Sequence, residues 1–159
     1  MTRKTLSSKS LHPAASQAEN LGRELSNAVV FFHESIAAHL GMSAGEWRCY
    51  VLLEEHGAIT ASRLAQLSGF TTGAITGIAD RLERAGYLHR EPNPEDRRSV
   101  ILRPLRLKET SAQTAPIFDS LGRAMKRIAK RYNQRELEAI ADYFRRTIRA
   151  LHDETLKIR

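Results

Sequence analysis

Residues 58–104, AITASRLAQLSGFTTGAITGIADRLERAGYLHREPNPEDRRSVILRP, read as a helix, a tight turn, a second helix and a basic β-hairpin. The first helix is expected to start at Thr60, whose hydroxyl caps free N–H groups, and to bury Leu64, Ala65 and Leu67 before Gly69 permits a turn. Thr71 or Thr72 caps the second helix. Its residues Ile75, Ile78, Ala79 and Leu82 recur at spacings that turn one apolar stripe toward a core, and Gly86 stops it. The opposite face carries Thr72, Gly73, Thr76 and Gly77, small or hydroxylated groups that let a helix backbone approach base edges closely, where threonine hydrogen-bonds or packs its methyl on thymine. An ordinary surface helix of low side-chain bulk has the same residues; the basic hairpin attached to this one shifts the weight toward DNA.

In that hairpin, Tyr87 to Arg90 forms an extended start, and Glu91 to Asp96, with Pro92, Asn93 and Pro94, concentrates turn chemistry. Arg97 to Arg103 then returns as a half-buried strand with Val100 and Leu102 on its apolar side. Arg81 and Arg84 sit toward the end of the second helix, within reach of phosphates. From Arg81 to Lys108 there are eight basic residues against four acidic ones. Such a run is usually a solvated face, but a basic hairpin attached to a helix-turn-helix is suited to phosphate binding.

The stretch from Gly45 to Pro104 resembles the MarR family of bacterial transcriptional regulators, above all in DRLERAGYLHR (80–90) followed by the wing signature Asp96-Arg97-Arg98. The flanking helices fit the same plan from about Leu21 onward. The resemblance implies a mainly α fold: a winged helix-turn-helix with a small β-hairpin wing, and N- and C-terminal helices that interleave between two protomers. It implies a homodimer on double-stranded DNA with a pseudo-palindromic site. The implied DNA-binding residues are Thr71, Thr72, Gly73, Thr76, Gly77, Arg81, Arg84, Asp96, Arg97 and Arg98. Arg98 enters the minor groove, Asp96 braces the wing turn and Arg97 lies nearer the backbone. A small-ligand cleft is implied between the dimerisation helices and the DNA-binding lobe. Near it Phe32, His33, Ile36, Trp47 and Tyr50 offer aromatic walls and one polar group, suited to an aromatic or phenolic anion, unless all five are core and interface packing. The chain departs from the pattern at Gly77, where relatives carry a larger, often basic residue, so an operator sequence does not transfer.

Working outward, residues 1–16 form a basic tail without apolar periodicity, expected to be disordered. Residues 17–159 form one protomer, with dimerisation helices over 17–42 and 109–159 and the winged-helix lobe over 43–108. Leu21, Leu25, Ala28, Val29, Phe32, Ile36 and Leu40 make one long amphipathic helix from Ser16 to Leu40, about 37 Å by its rise and longer than a small lobe needs. Ser43 and Glu46 form a capping box that opens the next helix. After the wing, Phe118, Leu121, Met125, Ile128 and Tyr132 mark a helix from Glu109 to Tyr132, with Pro116 near its start or at a kink. Asn133 caps a last helix whose stripe is Leu137, Ile140, Ala141, Phe144, Ile148 and Leu151. These stripes exceed what one lobe covers, which again asks for a second copy.

At 159 residues and 42% hydrophobic the chain has room for one real core, and its net charge of +7 favours a polyanionic partner. Neither a signal-peptide h-region nor a membrane-length apolar run occurs, which leads to an expectation of a cytoplasmic protein. No nucleophile elbow, P-loop, dinucleotide fingerprint or His-Glu-x-x-His motif is present, so neither enzyme chemistry nor a cofactor or metal is expected. The single cysteine, Cys49, excludes an intrachain disulfide and is either a core residue or, beside Arg48, a redox-sensing thiol. The functional reading is a sequence-specific DNA-binding regulator, a repressor released by a small aromatic or phenolic ligand; the rivals are thiol-based sensing through Cys49 and a winged-helix module that docks proteins.

Overall fold

The computed structural model describes residues 13–96 and 98–158. The chain divides into two compact units, residues 1–110 and 111–159. Helix α1 (Pro13–His39) starts at a proline, which costs no hydrogen bond at the head of a helix. It therefore begins ahead of the expected Ser16 and takes in the last residues of the expected tail; disorder over residues 1–12 lies outside the described residues. Among its described residues burial is confined to the C-terminal end, where Ile36 and Ala37 are buried together with Leu40 just beyond the helix, whereas Leu21, Leu25, Val29, Val30 and Phe31 are exposed.

Helix α2 (Ala44–His56) is opened by the expected capping box. The Ser43 N–H donates to the Glu46 carboxylate at 2.7 Å and the Glu46 N–H donates to the Ser43 hydroxyl at 3.3 Å. Trp47, Cys49, Tyr50 and Leu53 are buried, so α2 is the central post of the first unit. Helix α3 (Ala61–Ser68) has Thr60 as its N-cap, the threonine hydroxyl accepting the Arg63 N–H at 3.2 Å, and Gly69 in the left-handed conformation ends it. Leu64 is buried and its neighbours Ala65 and Leu67 are half-buried. Of the two candidate caps for α4 (Thr72–Arg84), Thr71 fills the role: its hydroxyl accepts from the Ala74 N–H.

The end of α4 is fixed by backbone geometry. Gly86 adopts φ +75°, its N–H donates to the Glu83 carbonyl, and the Tyr87 N–H donates to the Leu82 carbonyl. That pairing of the last carbonyls is the Schellman stop, which wants glycine at the left-handed position. Here a Cβ would also come within 3.1 Å of the Arg106 guanidinium.

Three strands lie in the order β1 (Ile59–Thr60), β3 (Val100–Pro104), β2 (Leu88–Pro92), all antiparallel. The sheet differs from expectation in three ways. Ile59 and Thr60 add a short edge strand, pairing with Leu102 and Ile101. Strand β2 runs on through Glu91 and Pro92 instead of turning there, because both keep cross-strand partners in Ile101 and Val100. Val100 is exposed whereas Leu102 is buried: the two share a face, but Val100, paired with Pro92 beside the wing turn, stands where that face has run past the core.

Helix α5 (Leu107–Ala129) contains Pro116 in its interior and ends short of Tyr132. Helix α6 (Gln134–Ile158) is capped reciprocally, with the Asn133 N–H donating to Glu136 at 2.8 Å and the Glu136 N–H to the Asn133 side chain at 3.1 Å. None of its described residues is buried, and Leu137, Phe144, Ile148 and Leu151 all stand exposed.

Candidate nucleic-acid interface

Helix α4 buries Ile75, Ile78, Ala79 and Leu82 and thereby commits its other side to solvent. Thr72, Gly73 and Thr76 are exposed there and Gly77 is half-exposed. The Thr76 hydroxyl donates to the Thr72 carbonyl at 3.1 Å, which occupies its donor within the helix. A Cβ on Gly73 would meet nothing, and one on Gly77 only the end of the Arg81 side chain at 3.5 Å. Packing within the protein therefore requires glycine at neither position. The two glycines leave the helix backbone open to approach along this face.

The wing turn is held by its own side chains. The Asp96 carboxylate accepts the Arg98 N–H at 2.9 Å, and Asn93 Oδ1 accepts the Glu95 N–H at 3.1 Å, so each acidic or amide residue folds the chain two positions on. The Asn93 amide also donates to the Ser99 hydroxyl at 2.7 Å across the turn. These bonds fix the backbone from which the Arg98 side chain springs; the placement of Arg97 lies outside the described residues.

The basic residues of this surface fall into two groups that the sequence does not separate. Arg81 pairs with Glu46 on α2, Arg90 with Asp80 and Glu83 on α4, and Arg103 with Glu91 by two bonds of 2.5 and 3.2 Å. Arg106 lies over the Tyr87 ring, 5.5 Å from its centre. Arg84 donates only to the Asp80 carbonyl of its own helix, and Arg98 is exposed; neither has a carboxylate partner among the described residues. The expectation that Arg81 reaches a phosphate thus meets a competitor. Burial alone raises the Glu46 carboxyl, but the Ser43 N–H and the Arg81 guanidinium outweigh it and hold its pKa below the ordinary value. Glu46 was legible only as a capping residue and Arg90 only as one more charge. The sole hint of Arg90's role was Asp80 and Glu83 three apart on one helix face.

The residues expected around a ligand cleft separate as well. A cleft of about 470 Å3 lies between α1 and α2, lined by Val29, Val30, His33, Trp47, Val51 and Leu52, with Glu34 and Arg48 at its edge. His33 and Trp47 belong to it, and the indole N–H donates to His33 Nδ1 at 3.4 Å. Ile36 and Tyr50 do not line it. Both are core residues, and the Tyr50 hydroxyl is used up by the Leu105 carbonyl at 2.7 Å and the Thr110 hydroxyl at 3.2 Å. Phe32 is half-buried, edge-on to the His33 ring, and not part of the cleft wall.

Cys49 has no exposed surface, and burial pushes its thiol up to about 11 against the pull of Arg48. Burial and a raised pKa both work against a reactive thiolate, so this placement favours core packing over the sensing alternative. Among the described residues no group of three or more His, Cys, Asp or Glu side chains is arranged to hold a metal ion, and no helix is long and apolar enough to cross a membrane.

This architecture is shared with known proteins. Residues 42–100 match the family model described as MarR family. The chain is 31% identical to the HTH-type transcriptional regulator YcgE of Bacillus subtilis over 142 residues, 89% of this chain and 91% of that protein. Among solved structures it is similar to the MarR family transcription regulator SP03579, with a TM-score of 0.71 at 21% identity over 89% of this chain and 93% of that one. It is also similar to reduced AbfR bound to DNA, with a TM-score of 0.57 at 18% identity over 87% of this chain and 94% of that one.

Proposed function

Because this chain belongs to the MarR family of DNA-binding transcriptional regulators, we propose that it represses its target genes as a homodimer on a pseudo-palindromic site and is released by a small aromatic or phenolic ligand. The single observation that carries the DNA part is the face of α4: two glycines that the protein's own packing does not need, each following a threonine, beside a wing turn that presents Arg98. On this reading α4 lies in the major groove. Thr72, Gly73, Thr76 and Gly77 meet base edges, Thr71 offers the helix N-terminus to a phosphate, Arg84 takes a second phosphate, and Arg98 enters the adjacent minor groove. A structural relative has been solved bound to DNA, which supports the mode of use. The exposed apolar stripes of α1 and α6 support the dimer, and with it half-sites about one turn apart, roughly 34 Å. The α1–α2 cleft, apolar with His33, Glu34 and Arg48 at hand, supports an effector that pairs a flat apolar body with a charged group.

The test uses duplexes that the protein enriches from a random-sequence pool. A narrow A·T-rich minor groove has enhanced negative potential, so an inserted guanidinium gains more there than at an exposed phosphate. Arg98→Ala is expected to weaken binding by about 1 to 3 kcal/mol and to erase a preference for A·T pairs flanking the half-site. Titrations on duplexes with A·T or G·C flanks check it: equal losses on both would show that Arg98 does not read the groove.

A further inference from the structure

Arg90 joins the wing to α4 more firmly than a hairpin contact requires. Its guanidinium donates to the Asp80 carboxylate at 2.6 Å, to the Glu83 carboxylate at 2.9 Å and to the backbone carbonyl of Thr76 at 3.1 Å. Its own backbone N–H donates to the second Glu83 oxygen at 2.9 Å. Residues 76, 80 and 83 lie four and three apart, along one ridge of the helix, so a single planar group on β2 grips two turns of α4. The side chain is only 27% exposed. It belongs to the same element pair as the Thr76 surface and the Arg98 turn, yet two carboxylates already absorb its charge.

We propose that Arg90 is a positioning residue for DNA recognition: the clamp to Thr76, Asp80 and Glu83 locks α4 and the wing into one rigid reading head, setting the distance between the helix in one groove and the wing tip in the next. This rests on the reading of α4 and the wing as the DNA-binding surface. The physical reason for such a device is that two elements contacting neighbouring grooves bind best when their relative placement is fixed before docking, since any freedom between them must be lost in the complex. A lysine at position 90 keeps the charge but not the plane of donors, and a phosphate would accept it nearly as well as arginine; three acceptors on a helix ridge do not.

Asp80 gives the sharpest test because the two explanations predict opposite signs. Removing a carboxylate beside a polyanion's binding surface strengthens attraction, so if the clamp is idle Asp80→Asn tightens DNA binding. If the clamp positions the wing, Asp80→Asn weakens it although the surface becomes more positive. Wild type, Asp80→Asn, Glu83→Gln and Arg90→Lys, each full length and compared by thermal melting, are titrated with the duplex that wild type enriches from a random pool and with poly(dI-dC). Expected are losses of about tenfold on the enriched duplex for each variant, with poly(dI-dC) binding unchanged or tighter for the two carboxylate variants. Hydroxyl-radical footprints should lose the wing's minor-groove protection while keeping that of α4. The double variant Asp80→Asn/Arg90→Lys should lose little more than either alone. Asp80→Asn binding the enriched duplex as tightly as wild type or tighter, or Arg90→Lys binding like wild type, overturns the proposal. A wild-type protein that enriches no duplex overturns the reading on which it rests, and the proposal with it.

Discussion

Cys49 shows how a residue is decided by its surroundings rather than its type. Between Arg48 and Tyr50 it is ambiguous, because a neighbouring guanidinium is one of the things that activates a thiol. In the fold the guanidinium is on the exposed side of α2 and the sulfur is wholly enclosed, so desolvation wins. We expect iodoacetamide at pH 8 to label the native thiol roughly a hundredfold more slowly than the unfolded chain, and peroxide to leave DNA binding unchanged. The raised pKa also has a sign. The unfolded thiol ionises near 9.0 and the folded one near 11, so the protonated core residue stabilises the protein fully below pH 9 and that contribution is lost as pH rises to 11. Alkaline denaturation profiles of wild type and Cys49→Ala measure it, the variant being flatter over that interval. Rapid labelling of native protein would return Cys49 to the sensing class.

Among the elements, local chemistry was legible and distant pairing was not. Ser43 with Glu46, Thr60, Thr71, Asn133 with Glu136, and Gly86 each declare a helix end within four residues of themselves, and all act at the ends expected. The strand at Ile59 was missed because its reason for being extended lies in Leu102, far along the chain. For the same reason the reading surface was legible as a set of residue types but its charges were not: Arg81, Arg90 and Arg103 look like Arg84 and Arg98 until their carboxylates are located. The tie between α2 and α4 gives a pH test. The Glu46 carboxyl is depressed below its ordinary value of 4.5, so its bonds to Ser43 and Arg81 stabilise the fold fully above that value and are lost as pH falls through the lower folded value. Glu46→Gln is expected to destabilise the protein by about 1 to 3 kcal/mol at pH 7, with a smaller difference from wild type below pH 4, as chemical denaturation at the two pH values will measure. Equal differences at both would mean that the ion pair contributes nothing beyond the cap.

At the scale of the whole molecule, the apolar periodicity of α1, α5 and α6 was plain in the sequence, and what it faces is the part that one chain does not answer. Phe144 stands 43% exposed on α6, in line with Leu137, Ile148 and Leu151. If a second copy covers that stripe, Phe144→Asp places an unpartnered charge in an apolar interface and should weaken dimerisation at least tenfold, with DNA binding falling in step. Sedimentation equilibrium and DNA titration on the same samples check the coupling; a monomer that retains full affinity refutes it. The bare surface of α6 also changes what thermal stability means for this protein. If a second copy covers this helix, which has no buried residue among those described, its order depends on association, and association obeys mass action, so the melting temperature should climb with concentration and the folded fraction should shrink on dilution. On that dimeric reading, how abundant the regulator is becomes a determinant of how well it is folded, and a cell that makes less of it would lose occupancy twice, once through number and once through the dimers that come apart.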